Sequence, residues 1–198
     1  MEDSYKTVER VAGGLYKEKG SRFIARVYPV TTEEEIKKIL MEIKSEYFDA
    51  RHHCHAWVLG VDARNTRVND DGEPSSTAGR PILGQILSRG LTNVLVVVVR
   101  YFGGTKLGVS GLIQAYRAAA SDALDHAGLV EKTVDETLSI TFNYADMNDV
   151  MKVLKEENPE ILERDFEMTC RVTLRVHRGD MPRLRERLAR VESVRETT

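Results

Sequence analysis

Residues 93–111 read NVLVVVVRYFGGTKLGVSG, and this stretch decides the fold of the N-terminal half. From Asn93 to Phe102 the apolar run shows no alternation, which is typical of a strand buried on both faces. The glycine-rich segment Gly103 to Gly111 leads into a long helix that we expect to continue to about His126. Gly128 then stands where a C-cap glycine is expected. The stretch predicts a central strand, a tight turn and a helix.

The turn in this stretch has the composition of an anion site. Arg100 ends the strand, and Gly103 with Gly104 lets the backbone approach closely or adopt a positive φ. Lys106 follows, and the helix N-terminus near Gly108 offers free N–H groups and the positive end of a dipole. The spacing is not that of a P-loop. A purely structural strand-to-helix turn is the alternative.

The segment before this stretch alternates strands and helices. Arg22 to Val30 is rich in β-branched and aromatic residues and predicts a strand. Thr32 with Glu35 three residues later predicts a capping box and a following helix. Cys54 to Val61 predicts a second strand, and Arg64 to Val68 its short return strand.

An acidic turn lies between these strands and the central one. Residues 69–79 contain only turn-forming chemistry, and Pro81 to Arg89 predicts a short helix with proline near its start. Asp70, Asp71 and Glu73 bring three carboxylates within four residues. Such a cluster could bind Mg²⁺, act as a general base or cap the following helix. A solvated acidic turn is the simplest alternative.

Residues 50–57, ARHHCHAW, suggest a metal site at first sight. Side chains on a strand alternate between faces, so His52 and Cys54 share one face while His53 and His55 share the other. No three-ligand set for zinc forms without a partner from elsewhere. We therefore expect no metal and no cofactor, and a core strand with one polar face along a cleft.

The pattern changes near residue 131. Apolar residues alternate over residues 138–144 and predict a half-buried strand. Asp146 is expected to cap a helix, and residues 161–178 predict two strands. Asp180 is expected to cap a last helix, and a short strand is expected to follow at Val194.

This β-α-β-β-α-β order is the split unit of ferredoxin-like folds. We expect domains at residues 1–132 and 133–198 and an α+β fold overall. In the second of the two adjacent strands, one face is expected to carry Met168, Cys170, Val172, Leu174 and Val176.

Positive charge concentrates near the C-terminus although the net charge is −2. Residues 171–195 contain eight arginines and three acids, a local charge of +5. An RNA-binding surface could form there, and a solvated amphipathic helix is the alternative. The candidate RNA-binding residues are Arg171, Arg175, Arg183 and Arg187.

Composition indicates a folded protein of a reducing compartment. Hydrophobic residues make up 41% of the 198 residues, enough for a core. The longest aliphatic run, Val94 to Val99, is far below the roughly 20 residues of a transmembrane helix. The polar N-terminus has no signal-peptide pattern, and Cys54 and Cys170 do not form a disulfide framework. We expect a cytoplasmic protein without membrane association.

Three ordered segments make the chain resemble the Impact/YigZ family. They are Ala50-Arg51-His52-His53-Cys54 with Ala56-Trp57; Asp70-Asp71-Gly72-Glu73-Pro74 with Thr77-Ala78-Gly79 and Pro81; and Val97-Val98-Val99-Arg100-Tyr101 with Gly103-Gly104, Leu107-Gly108, Gly111-Leu112 and Ala115-Tyr116. The resemblance covers residues 20–120 and, more weakly, the C-terminal part. His55 and Ser110 depart from it, since relatives usually have an aromatic residue and a glycine there.

The resemblance implies an N-terminal α/β domain similar to one in a small-subunit ribosomal protein and to domain IV of elongation factor G. It implies a ferredoxin-like C-terminal domain similar to domain V of that factor. Eukaryotic members regulate translation during amino-acid starvation by binding a partner protein. No enzymatic activity is firmly implied for the shorter two-domain members.

Three functions are compatible with the sequence. The first is a non-catalytic binding protein that acts on the ribosome, RNA or a translation-associated protein and holds a small anionic group in a cleft. The expected cleft residues are His52, Asp70, Asp71, Glu73, Arg100, Gly103, Gly104, Lys106 and Gly108. The second is a Mg²⁺-dependent hydrolase or transferase acting on a small phosphorylated compound. Asp71 or Glu73 would be its base or metal ligand, although no nucleophile–base pair is recognisable. A protein–protein adaptor is a third, less specific possibility.

Overall fold

The computed structural model describes residues 3–167 and 169–197. Two compact units are present. One is Tyr5–Lys132, and the other runs from Thr133 onward and includes Asp3 and Ser4. We keep residues 1–132 and 133–198 as the proposed domains. In the described part of the chain, no helix is long and apolar enough to cross a membrane.

An antiparallel sheet forms the centre of the first unit, with the strand order β2-β3-β6-β4-β5. A smaller two-stranded sheet joins β1 and β7. The strands are β1 Ser4–Val8, β2 Ala12–Glu18, β3 Ser21–Pro29, β4 His52–Leu59, β5 Asn65–Asn69, β6 Val94–Tyr101 and β7 Leu129–Thr133.

Helices cover both faces of this sheet. They are α1 Glu33–Glu46, α2 Gly79–Ser88 and α3 Gly108–Ala127. Alternate residues of β6 belong to two separate cores. Val94, Val96 and Val98 pack with residues of α2 and α3, whereas the next residue in each case packs with residues of α1. The prediction of a strand buried on both faces is confirmed, because apolar layers lie on either side of it.

The predicted start of α1 is confirmed in detail. The backbone N–H of Glu35 donates to Thr32 Oγ1 at 3.2 Å, and the Glu35 carboxylate accepts from the N–H of Thr32 at 3.3 Å. Strands β1, β2 and β7 were not predicted. Strand β2 reads AGGLYKE, and its two glycines remove the β-branched signal on which a strand prediction depends.

The second unit has the predicted β-α-β-β-α-β order. The described elements are β8 Asp135–Asn143, α4 Met147–Glu157, β9 Glu160–Phe166, β10 Thr169–His177, α5 Met181–Leu188 and β11 Arg195–Thr197. The sheet order β11-β8-β10-β9 is that of a ferredoxin-like fold. The alternation predicted for β10 is confirmed from Cys170 to Val176, which are both buried, and Met168 lies outside the described residues.

The predicted caps of this unit differ in their chemistry. Asp146 and Asp180 occupy the N-cap positions of α4 and α5, but neither side chain makes a capping hydrogen bond. The Asp146 carboxylate instead accepts from Ser193 Oγ. Asp180 forms an ion pair with Arg183 at 3.2 Å. A tertiary partner therefore takes the Asp146 carboxylate, and a local partner on α5 takes that of Asp180.

Adjacent glycines of β2 give a test of the packing between this strand and α3. A Cβ on Gly14 would lie 2.4 Å from the Ala123 nitrogen, whereas a Cβ on Gly13 would meet nothing closer than 3.6 Å. We expect Gly14→Ala to lower the free energy of unfolding by about 1–3 kcal/mol, the usual cost of overpacking. Gly13→Ala is the matched control and should change it little. Urea unfolding of both variants checks this, and equal stabilities would contradict the close approach.

Candidate anion-binding cleft

A cleft of about 690 Å³ opens where β6 ends and α3 begins. Its charged and polar lining includes Arg51, His52, Glu73, Arg100 and Lys106. Its apolar lining includes Phe102, Leu107, Val109 and Leu112. The volume is in the range of small-molecule sites. The cleft therefore combines several cations with an apolar wall.

A buried ion pair lies at the base of this cleft. Arg100 Nη1 donates to Glu73 Oε1 at 2.6 Å, and the side chains are only 8% and 3% exposed. Tyr116 donates its hydroxyl to the same Oε1 atom at 2.7 Å. A carboxylate that is buried this deeply needs such partners, because desolvation would otherwise be too costly. The contacts fix the guanidinium in one position.

The Arg100 guanidinium still has unused hydrogen-bonding capacity. Its carbon lies 5.4 Å from the centre of the Phe23 ring and 5.7 Å from that of the Phe102 ring. Its Nε is buried without a hydrogen-bond partner among the described residues. Phe102 is itself 58% exposed. Native structures pair most buried polar groups, so the unpaired Nε distinguishes Arg100 from the other buried polar residues that the structure describes.

The strand register explains how these residues meet. Arg100 pairs with Phe23 of β3 on one side and with His52 of β4 on the other. It shares a face with Val98, which belongs to the core beneath α2 and α3. Tyr116 comes from α3 on this same side. Alternation along β6 thus directs the last cation of the strand toward the helix that follows it.

The acidic turn has a mainly structural role. Asp70 accepts hydrogen bonds from the backbone N–H groups of Ser76, Ala78 and Gly79, at 2.8–3.0 Å. Asp71 accepts from the N–H of His53 at 2.7 Å. Glu73 lines the cleft, whereas Asp70 and Asp71 do not. Asp70 therefore stabilises the start of α2, which is one of the roles predicted for the acidic cluster.

The histidines occupy opposite faces of β4, as the alternation predicts. His52 lines the cleft, and its Nδ1 donates to the Asp71 carbonyl at 2.8 Å. His53 Nε2 donates to the Tyr47 carbonyl at 3.0 Å. Across residues 3–167 and 169–197, no group of three or more His, Cys, Asp or Glu residues is arranged to hold a metal ion.

Cys54 and Tyr116 form the buried wall behind the ion pair. The thiol lies 3.0 Å from the Asp70 carbonyl and 3.3 Å from the Tyr116 hydroxyl, and its single proton is available to one of the two at a time. Burial raises the pKa of Cys54 to about 12, and the nearby carboxylates act in the same direction. Burial also raises the pKa of Tyr116, with further contributions from Cys54 and Glu73. Both groups are therefore neutral near pH 7.

The glycines of the predicted loop differ in their surroundings. A Cβ on Gly103 would lie 1.9 Å from the Gly20 carbonyl carbon, so this glycine permits a close backbone contact. Gly104 and Gly108 have φ values of +88° and +73° and open space around them. Lys106 and Gly108 line the cleft, and Gly103 and Gly104 do not.

The N-terminus of α3 is open at the edge of the cleft. Leu107 occupies its N-cap position, and no side chain makes a capping hydrogen bond there. Lys106 is exposed, and it has no ion-pair partner in the part of the chain that the structure describes. Unpaired N–H groups and a free ammonium group thus lie beside the buried guanidinium, which adds to the attraction for an anion.

The C-terminal arginines are mostly paired with acids. Arg175 binds Glu160 at 2.8 Å, and Arg183 and Arg187 both bind Glu157 at 2.6 Å. Arg171 has no ion pair among the described residues. Residues 133–198 contain 14 acidic and 11 basic residues. The local charge of +5 is therefore offset by acids that the fold brings from other elements.

The sequence did not indicate the part played by three aromatic residues. The rings of Phe23 and Phe102 lie near the Arg100 guanidinium, and Tyr116 binds its partner Glu73, although the three come from different parts of the chain. Tyr116 is in one of the segments that carry the family resemblance. Its distance from Leu112, one helical turn, could have placed it on the buried face of α3.

The fold and the cleft define an α+β protein of two compact units with a cationic cleft in the first. The family model of the Impact N-terminal domain matches residues 19–124. The chain belongs to the Impact family.

Relatives are similar over most of their length. The chain is 38% identical over 156 residues to the IMPACT family member YvyE of Bacillus subtilis, covering 79% of this chain and 72% of that protein. It is 34% identical over 151 residues to the IMPACT family member YigZ of Escherichia coli, covering 75% and 74%. A crystal structure of a hypothetical protein matches with a TM-score of 0.76 and 28% identity, covering 100% of this chain and 98% of that one.

Thiol alkylation tests the environment of Cys54. At pH 8 we expect iodoacetamide to modify Cys54 in the folded protein roughly a thousandfold more slowly than in urea, because a raised pKa leaves little thiolate. Peptide mapping by mass spectrometry separates Cys54 from Cys170. Equal rates for Cys54 in the folded and denatured protein would contradict the buried, protonated thiol.

Proposed function

We propose that this protein is a non-catalytic binding protein linked to translation, and that its cleft receives a phosphate or carboxylate group. The binding partner would be the ribosome, RNA or a translation-associated protein. The observation that carries the proposal is the Arg100 guanidinium, which lines the cleft and is held in place there by Glu73. A cytoplasmic location is part of the same proposal.

The geometry suits recognition of an anion because its charges are held in place before binding. Glu73 accepts hydrogen bonds from Arg100 and Tyr116, and these contacts hold the Arg100 guanidinium in one position. Lys106 and Gly108, the first residue of α3, line the same cleft as Arg100. A fixed, partly desolvated cation attracts an anion more strongly than a solvated one does. Little ordering cost then remains for binding.

The link to translation comes from the family. The resemblance implies a regulatory role in translation for eukaryotic members, and it implies domain types found in the ribosome and in elongation factor G. We extend the translation link, without a named partner, to this chain. It supports the ribosome and RNA as the first partners to test.

RNA contact through the C-terminal arginines stays a prediction, and it has less support because three of the four arginines already form ion pairs. Arg175, Arg183 and Arg187 would exchange acidic partners for phosphates. That exchange reduces the net gain, since each existing ion pair would be lost. Arg171 is the member of the predicted set that needs no such exchange among the described residues. We therefore place the main contact in the N-terminal cleft.

A Mg²⁺-dependent enzyme is the second candidate, and the volume of the cleft favours it, because about 690 Å³ accommodates a small phosphorylated compound. The carboxylates weigh against it. Asp70 and Asp71 already accept backbone hydrogen bonds, and Glu73 already binds Arg100 and Tyr116. Recruiting one of them as a base or metal ligand would break those contacts.

Sedimentation with purified ribosomes and total RNA, at low and moderate salt, tests the proposal. We expect co-sedimentation that weakens with salt, because phosphate contacts release counterions. Lys106→Glu should reduce it at least roughly tenfold, since it reverses a charge at the cleft. Lys38→Glu is the matched control, because this exposed lysine lies on α1, on the other face of the sheet.

Two results would contradict the proposal. One is a protein that stays in the supernatant at every salt concentration. The other is an equal loss of binding in the Lys106 and Lys38 variants, which would indicate a general charge effect. In the first case, a screen of phosphorylated compounds with Mg²⁺ for turnover would test the enzyme instead.

A further inference from the structure

A second groove, of about 260 Å³, lies on the other face of the sheet, between α1 and the edge strand β5. His55 and Trp57 of β4 line it, and both are buried. All five residues of β5 are exposed. The groove is separate from the cleft described above, because His55 and His52 lie on opposite faces of β4.

Three cations line this groove. Lys37 and Lys44 lie seven residues apart on α1, so they share one face and are separated by about 10 Å along the helix axis. Arg67 faces them from β5, where it pairs with Trp57. None of the three has an ion-pair partner among the described residues. Glu33 is the one carboxylate that the described lining contributes.

His55 adds a ring nitrogen without a protein partner to this groove. It is 8% exposed, and its Nδ1 donates to the His53 carbonyl at 3.4 Å. Its Nε2 makes no hydrogen bond within residues 3–167 and 169–197. A buried imidazole with one unused nitrogen thus lines a groove that also contains three unpaired cations.

We propose that this groove binds a phosphate group, with Lys37, Lys44 and Arg67 balancing its charge and His55 Nε2 donating a hydrogen bond to it. Phosphate fits better than carboxylate because the donors come from three elements, α1, β4 and β5. Three or four acceptor oxygens can meet such donors together, whereas a carboxylate has only two. The phosphate could belong to a free small compound or to an RNA backbone.

Protonation of His55 accompanies binding. The groups that face it are Glu33, Lys37 and Lys44 from α1, and Arg67 and Asn69 from β5. Burial is the main cause that lowers the pKa of His55, and Lys44 and Arg67 lower it further, while the His53 carbonyl and Asp71 raise it. A bound phosphate would raise this pKa. Binding would therefore take up a proton, and affinity for the RNA phosphodiester, whose charge stays constant, would increase as pH falls.

The test is an NMR titration of the His55 ring resonances with inorganic phosphate and with an eight-nucleotide single-stranded RNA, at several pH values. We expect saturable shifts in His55 and a pKa that is higher with phosphate than without it. Phosphate and RNA saturating at equal phosphate concentration would indicate a free compound as the ligand. RNA saturating at much lower concentration would indicate the backbone.

Variants make the test specific. His55→Phe should fill the same space without a donor and weaken phosphate binding roughly tenfold, as should Arg67→Ala. Glu33→Gln should strengthen binding, because it removes the one carboxylate in the described lining. Lys38→Ala, on the same helix but outside the groove, should have no effect.

Two results would overturn the proposal. One is a His55 resonance that neither phosphate nor RNA shifts. The other is a binding curve that His55→Phe and Arg67→Ala leave unchanged. Lys106→Glu should leave the titration intact, so that failure of the first cleft and failure of this groove are distinguishable.

Discussion

The ion pair between Glu73 and Arg100 connects three elements that are far apart in the sequence. Glu73 comes from the acidic turn, Arg100 from the end of β6, and Tyr116, which donates to the same carboxylate oxygen, from α3. Each partner is buried, so none has water as an alternative. A one-sided change would leave an unpaired buried charge. The shape of the cleft depends on this interaction, because Glu73 and Arg100 both line it.

Other contacts make this arrangement rigid. Asp70 holds the acidic turn against the start of α2. The Cys54 thiol lies within hydrogen-bond distance of the Asp70 carbonyl and the Tyr116 hydroxyl. Gly103 allows the loop after β6 to approach Gly20 closely. The buried polar groups therefore act mainly by positioning Arg100. The cations that remain available to an anion, Lys106 among them, lie at the edge.

Much of the fold could be predicted because its signals are local. The aliphatic run of β6, the capping box at Thr32 and the β-α-β-β-α-β order each depend on neighbouring residues. The candidate site was harder to predict, because its geometry depends on residues distant in sequence. Asp70 and Asp71 belong to the same acidic cluster as Glu73, yet their carboxylates bind backbone N–H groups and only Glu73 lines the cleft. The arginines near the C-terminus predicted a basic surface from the sequence, whereas in the structure acids of α4 and β9 pair with them.

A double-mutant cycle at Glu73 and Arg100 tests the central claim most directly. Glu73→Leu and Arg100→Met would be measured singly and together by urea unfolding. The account predicts that each single change lowers the free energy of unfolding by about 3–5 kcal/mol, and that the double change costs clearly less than their sum. The exposed pair Glu186 and Arg190 is a control, where coupling near zero is expected. Additive losses at Glu73 and Arg100 would contradict the claim that this ion pair organises the cleft.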